Sequence, residues 1–174
     1  MLYEFKQFWK RAFDFSGRSI RREYWVPYLL NIAIIYTIFS LAFLLTSVGI
    51  ANDHSMIFII PGILLMVLTL IYSIAMFVPF IAVCIRRCHD ANMPGWYYLI
   101  CLLACFLCGI GGIAWIVICA LDSKPENQWG QNPKDNLPVE YQSNKSIIFS
   151  IIMFLLSAGF YMATIVICNL LTTL

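Results

Sequence analysis

The sequence predicts an all-α integral membrane protein, and three observations carry that prediction. The 174 residues are 61% hydrophobic and 11% charged, with a mean hydropathy of +0.83. Soluble domains average about 45–50% apolar and about 25% charged residues. Four apolar segments, 24–48, 57–85, 95–121 and 147–171, each exceed the ~20 helical residues needed to cross a ~30 Å hydrocarbon core. The charge is excluded from them: neither Ile57 to Ile85 nor Trp96 to Leu121 contains an Asp, Glu, Lys, Arg or His. We read one membrane domain over 1–174, with four hydrophobic helical segments behind an interfacial amphipathic helix over 1–16.

The N-terminal helix follows from spacing. Leu2, Phe5, Phe8, Trp9, Ala12 and Phe13 recur at helical intervals, while Lys6, Lys10 and Arg11 fall mostly on the other face. Such a helix lies with its aromatic face in the acyl boundary and its basic flank among headgroups. The alternative is a juxtamembrane helix packed on the rest of the protein. Phe15-Ser16-Gly17 ends it, with Gly17 suited to a left-handed C-cap and Ser19 to an N-cap for the next helix.

Arg18, Arg21, Arg22 and Glu23 precede Tyr24-Trp25, which stand at the depth of an aromatic belt. The apolar run that follows is too long for the h-region of a cleaved signal and reads as a signal anchor. Pro27 falls in its first turns, where a missing N–H costs least. The second segment carries Pro61-Gly62 and Pro79, and Pro79 is expected to kink it shortly before Arg86. Asn92-Met93-Pro94-Gly95 reads as a turn, followed by the aromatic belt Trp96, Tyr97 and Tyr98.

The third segment admits two readings. Its 27 residues make about 40 Å of helix, enough for one tilted span. Gly109-Ile110-Gly111-Gly112, past its middle, equally suits the tip of a re-entrant hairpin. After a polar stretch, 122–145, the last segment carries Ser157, Gly159 and Ala163, small residues that permit close helix packing.

Lys and Arg collect on the cytoplasmic side of a membrane protein. Six lie in the N-terminal segment, none in the 49–56 loop, two at Arg86-Arg87, three in 122–146 and none in the tail. The N-terminus is therefore cytoplasmic. Four full spans would leave eight inside and three outside; a re-entrant third segment would leave eleven inside, none outside, and the C-terminus outside. Charge favours the hairpin and length favours the span.

Arg86-Arg87-Cys88-His89-Asp90 is the densest set of reactive side chains. On a helix, Arg86 and Arg87 lie four and three residues before Asp90, on one face, near a C-terminus whose dipole favours cations. Arg18, Arg21, Arg22, Arg86 and Arg87 outnumber Glu23 and Asp90 by five to two. Guanidinium forks suit phosphate and carboxylate, and the nearest anion is a lipid headgroup. The expected anion site therefore comprises Arg18, Arg21, Arg22, Arg86, Arg87, His89 and Asp90. A cytoplasmic stop signal with an internal ion pair is the plainer alternative.

We assign no catalytic residue, although a membrane enzyme using His89 and Asp90 remains an alternative. Adjacent residues on a helix point in different directions, which weakens that pairing. Cys101, Cys105 and Cys108 share a face but read as compact apolar filler, so no metal or cofactor is expected. The seven cysteines avoid the loops that would face an oxidising compartment, which argues against a disulfide framework.

The spans hold no ionisable residue, unlike most ion-coupled transporters, so a small transporter or channel subunit is a second alternative. Asn31 and Asn169 suit bridges between helices. A net charge of +2 gives no support for nucleic-acid binding. The expected partners are the bilayer, its anionic headgroups and other copies or subunits.

Three motifs resemble those of domain of unknown function family 805, small bacterial inner-membrane proteins. They are Phe15-Ser16-Gly17-Arg18-Ser19-Ile20-Arg21-Arg22-Glu23-Tyr24-Trp25, Arg86-Arg87-Cys88-His89-Asp90 with Pro94-Gly95-Trp96, and Asn127-Gln128-Trp129-Gly130-Gln131-Asn132-Pro133. Gly17, Glu23, Trp25, Gly95, Trp96, Asn127, Gly130 and Pro133 are the structural positions of the resemblance. Cys88 stands where Leu is more usual and Pro94 where Ser is. The resemblance implies the bacterial inner membrane and implies no reaction.

Overall fold

Hydrocarbon offers backbone N–H and C=O groups no partners but each other, so long apolar runs close into helices. The computed structural model describes residues 3–135, 137 and 144–173, and among them it is helical with no strand. The order is α1 (Tyr3–Lys10), α2 (Arg21–Ala51), α3 (Met56–Asp90), α4 (Trp96–Cys108), α5 (Gly111–Ala120) and α6 (Lys145–Thr173). Helices α2, α3 and α6 are each long and apolar enough to cross a membrane. Their exposed Ile, Leu and Val side chains, Ile74 and Leu155 among them, suit a lipid solvent. Helix α3 continues through Pro61 and Pro79 to Asp90.

The third hydrophobic segment does not form one tilted helix. Gly109 adopts φ 72°, caps α4 through its N–H on the Cys105 carbonyl at 3.0 Å, and breaks the segment in two. A Cβ on Gly111 would collide with the Cys101 carbonyl and the Cys105 amide, so the backbones of α4 and α5 touch directly. Tyr98 meets Trp115 edge to face at 4.9 Å, and Ala91, Cys101 and Ile118 form a small buried core beside Met93 and Trp115. The legs have 13 and 10 residues, about 20 and 15 Å, each well short of ~30 Å.

The N-terminal helix is also shorter than 1–16. The Asp14 carboxylate accepts the N–H groups of Ser16 and Gly17, both at 3.2 Å, and this turn ends it. The left-handed cap expected at Gly17 is absent, since among the described glycines only Gly109 and Gly130 have positive φ. Gly17 serves another purpose: a Cβ there would press on the Arg11 guanidinium. Ser19 does not cap α2, because its hydroxyl accepts from Arg86. Glu4 and Phe8 are buried and Glu4 pairs with Arg22 at 2.8 Å, so this side of α1 packs on protein. Phe13, 81% exposed, lies beyond the helix.

The chain divides into two compact units, Met1–Tyr28 with Phe77–Ile148, and Leu29–Met76 with Phe149–Leu174. In the second unit the Tyr72 hydroxyl donates to buried Asn31 at 2.5 Å, the helix bridge expected of that residue. The polar chemistry lies in the first.

Candidate functional site

The site forms where two helices end. The last carbonyls of a helix have no partner within it and carry the negative end of its dipole. In the first unit the C-termini of α3 and α5 point their carbonyls at one cluster of arginines. Arg87 donates to Asp90 and to the carbonyls of Cys119, at 3.3 Å, and Leu121. One guanidinium thus joins the residue before the α4–α5 hairpin to the carbonyls that close it.

Arg18 is the hub. Its Nε and Nη2 donate to Asp90 Oδ1 at 3.2 and 3.0 Å, its Nη1 to the carbonyls of Pro125 and Gly130 at 3.0 and 2.9 Å, and its Nη2 to the Lys124 carbonyl at 2.6 Å. These bonds engage every N–H of a guanidinium. Asp90 Oδ2 accepts from Ser123 Oγ at 2.7 Å. Arg86 ties down the N-terminal turn by donating to Ser19 Oγ at 2.8 Å and to the carbonyls of Arg11 and Asp14 at 2.8 and 2.6 Å. The carbonyls of Arg86, His89 and Asp90 accept from Ser19 N–H, Asn127 Nδ2 and Lys124 N–H at 3.2, 2.9 and 3.1 Å. The end of α3 is thus capped by Ser19, Lys124 and Asn127 together with the N–H groups of Ala91, Asn92 and Met93 in the turn that follows it.

His89 Nδ1 lies 3.1 Å from the Gly17 carbonyl, which can only accept, so that nitrogen carries a proton. Its ring stacks on Trp129 at 4.6 Å and 8°. Asn127 and Gly130 exchange backbone hydrogen bonds, Gly130 at φ 122°, a conformation that favours glycine. A Cβ on Gly95 would strike Ile85, so the turn after Asp90 lies tight against α3. Glu23 lies 3.7 Å from Arg11, Trp25 packs on Tyr24, and Trp96 packs on Tyr97. Pro133 follows Asn132, whose carboxamide accepts the Lys134 N–H at 3.1 Å.

The three motifs therefore converge, but not on an open anion site. Arg18, Arg86, Arg87 and Asp90 are buried. Their donors are engaged on carbonyls, on Asp90 and on the Ser19 hydroxyl. The arginines are answered by carbonyls of the α5 end, the loop after it and the N-terminal turn, and by Glu4 and Asp122. Ser19, Ser123 and Trp129 join the cluster although spacing did not single them out. Ser19 was legible only as a capping residue, and Trp129, an aromatic inside a polar turn, gave a usable signal.

A second, exposed group borders this clasp. Asp122 accepts from Arg21 at 3.0 Å and from Lys134, and Arg21 also donates to the Ala120 carbonyl at 3.2 Å. The Lys134 hydrogen bond, then that of the Ser123 amide, hold the Asp122 carboxyl down at about 2. Arg21, Asp122 and Lys134 are 45%, 64% and 38% exposed in their side chains. Among the described residues no group of three His, Cys, Asp or Glu is arranged to hold a metal ion.

A family described as "Protein of unknown function (DUF805)" matches residues 12–131, which include all three motifs. The inner membrane protein YhaH of Escherichia coli (strain K12) is 35% identical over 129 residues, 72% of this chain and 91% of that protein. The inner membrane protein YhaI of the same strain is 32% identical over 129 residues, covering 72% of this chain and 90% of that protein. No solved structure matches.

Proposed function

The chain belongs to the DUF805 family, and from that premise we propose that it is a non-enzymatic, multi-pass component of the bacterial inner membrane. Its buried clasp gathers the N-terminal segment, the end of α3 and the 122–133 loop on the cytoplasmic face. The clasp organises the membrane domain, and its exposed rim, Arg21 and Lys134, meets anionic headgroups or a partner protein.

The observation that carries this reading is the reach of Arg87 from Asp90 to the carbonyls of Cys119 and Leu121. A hairpin whose two ends meet on one guanidinium enters and leaves by one membrane face. Helices α2, α3 and α6 are then the three crossings, all eleven Lys and Arg are cytoplasmic, and the C-terminus is outside. Catalysis through His89 and Asp90 finds no support. Both oxygens of Asp90 are taken by Arg18, Arg87 and Ser123, and His89 is 7% exposed beneath Trp129.

The test is a pair of reporters fused after Leu174, alkaline phosphatase and green fluorescent protein. We expect an active phosphatase and a dark fluorescent fusion. A bright fluorescent fusion with inactive phosphatase would return α4–α5 to a full crossing and sink the reading.

A further inference from the structure

We infer that the surface along the start of α2 and α5 holds one anionic membrane lipid, with its phosphate against Arg21 and Lys134 and an acyl chain in a separate aromatic cavity deeper along the same helices. This deepens the proposed headgroup contact and rests on Arg21 standing at the membrane face.

The two helices run antiparallel through a regular set of contacts. Arg21 touches the Ala120 carbonyl, Tyr24 accepts from Trp115 Nε1 at 2.9 Å, and Tyr28 lines a cavity with Gly111 and Gly112. Arg21, Tyr24 and Tyr28 are spaced i, i+3 and i+7, so they follow one face of α2. From Arg21 to Tyr28 is about 10 Å along the axis, the scale separating a lipid phosphate from its upper chain.

Each end suits its part of that ligand. At the rim, Arg21 and Lys134 share Asp122, so the group keeps one net positive charge, matching the single negative charge of a phosphodiester. Arg22, paired with Glu4, lines a crevice of about 170 Å³ with these two cations and the apolar Ile20 and Leu137. The deeper cavity, also about 170 Å³, is walled by Tyr24, Tyr28, Phe80, Tyr98 and Trp115 over a floor that includes Gly112. It has no charged lining residue, and the aromatic rings are fixed against one another: Tyr24 on Tyr28 at 5.6 Å, Tyr28 on Phe80 at 5.9 Å and Tyr24 on Trp115 at 6.0 Å. Hydrocarbon satisfies such walls. An apolar partner helix would fill the cavity yet leave the net positive charge of the Arg21–Asp122–Lys134 group unmatched, whereas an anionic lipid matches both.

Gly112 makes the cavity testable. A Cβ there meets only Cys105 Sγ, at 3.8 Å, so a side chain would grow into the space without disturbing the hairpin. The full-length protein, purified in a neutral detergent, is titrated with phosphatidylglycerol and with phosphatidylcholine of identical chains and read by native mass spectrometry. We expect one retained phosphatidylglycerol, favoured at least fivefold. The double variant Arg21→Ala/Lys134→Ala should lose the preference, and Gly112→Leu should lose the retained lipid. Gly112→Ala, the gentler filling, should weaken retention while keeping the parent's melting temperature.

Equal retention of the two lipids would overturn the proposal. So would a Gly112→Leu protein, folded by its melting temperature, that holds phosphatidylglycerol as the parent does. Displacement of the lipid by millimolar inorganic phosphate alone would also overturn it, because the chain would then contribute nothing. A C-terminus reported outside together with absent selectivity discards the lipid site alone, whereas a cytoplasmic C-terminus discards the topology.

Discussion

Arg18→Lys separates a clasp from a charge, because it keeps the cation and removes the fork. Arginine supplies five N–H donors in a plane, and here Asp90 and the carbonyls of Lys124, Pro125 and Gly130 use them all. A lysine ammonium has three donors on one atom and cannot span acceptors arrayed around a guanidinium. At least two acceptors lose their partner. Each orphaned buried acceptor costs about 1–3 kcal/mol, so the substitution should cost roughly 2–6 kcal/mol. For a chain of this size each kcal/mol corresponds to about 2–4 °C of melting temperature, hence a fall of roughly 4–24 °C. The assay is an intrinsic-fluorescence melt of the purified protein in detergent, with limited proteolysis of the 122–135 loop alongside. If Arg18 served only as a positive charge, lysine would replace it nearly without loss. A variant that melts with the parent and keeps its loop protected would refute the clasp.

Two further outcomes follow from single positions. Gly111→Ala should destabilise by ~1–3 kcal/mol or more through overpacking, since its Cβ would run into the Cys101 carbonyl and the Cys105 amide, while Gly112→Ala should melt near the parent; equal melts would show that the α4 and α5 backbones do not touch. Acid should loosen the rim. The folded pKa of Asp122 is depressed from 3.8 to about 2, so its stabilisation is whole above 3.8 and is lost as pH falls toward 2. Burial pushes the Asp14 carboxyl up, but the hydrogen bond and charge of Arg11 outweigh it and leave the pKa lowered, with the same sign. Asp122→Asn and high salt should each flatten this acid limb, because the pair is exposed, and an unchanged limb in Asp122→Asn would contradict the assignment.

The helices were legible because hydrocarbon enforces them. An uncharged run from Ile57 to Ile85 has few folds open to it besides a helix, and α3 contains it whole. The residues of the clasp were legible too, since Arg18, Arg86, Arg87, His89 and Asp90 interrupt an apolar chain. Their partners, unlike their identities, were not legible, for a physical reason. Counting five arginines against two carboxylates left charge unanswered and pointed to an outside anion. Asp122 and Glu4, carboxylates left out of that count, answer Arg21 and Arg22, and the other arginines meet the carbonyls of Cys119, Leu121, Lys124, Pro125 and Gly130, which every residue possesses and no letter marks. Ser123 was illegible for a related reason: its hydroxyl becomes a partner of Asp90 only once α5 has returned the chain there.

The third segment pits two rules against each other, and the break between α4 and α5 bears on both. Length asks only whether the chain could reach across, and 27 apolar residues could. It is blind to a backbone that has turned back. Three glycines in four residues permit that turn: Gly109 supplies the left-handed cap, and Gly111 lets the second leg lie against the first. The charge rule concerns the ends, where Lys124, Lys134 and Lys145 follow the segment. The hydrogen bonds constrain those ends directly. Arg18 and Arg87 would each have to release a buried bond to Asp90 or the carbonyls beyond the hairpin for the segment to straighten. Breaking one partner from a buried pair costs about 3–5 kcal/mol, a substantial part of the ~5–15 kcal/mol that holds a typical protein folded. The proposed one-face entry of α4 and α5 therefore rests on the polar residues at the two ends of the segment and not on its apolar length.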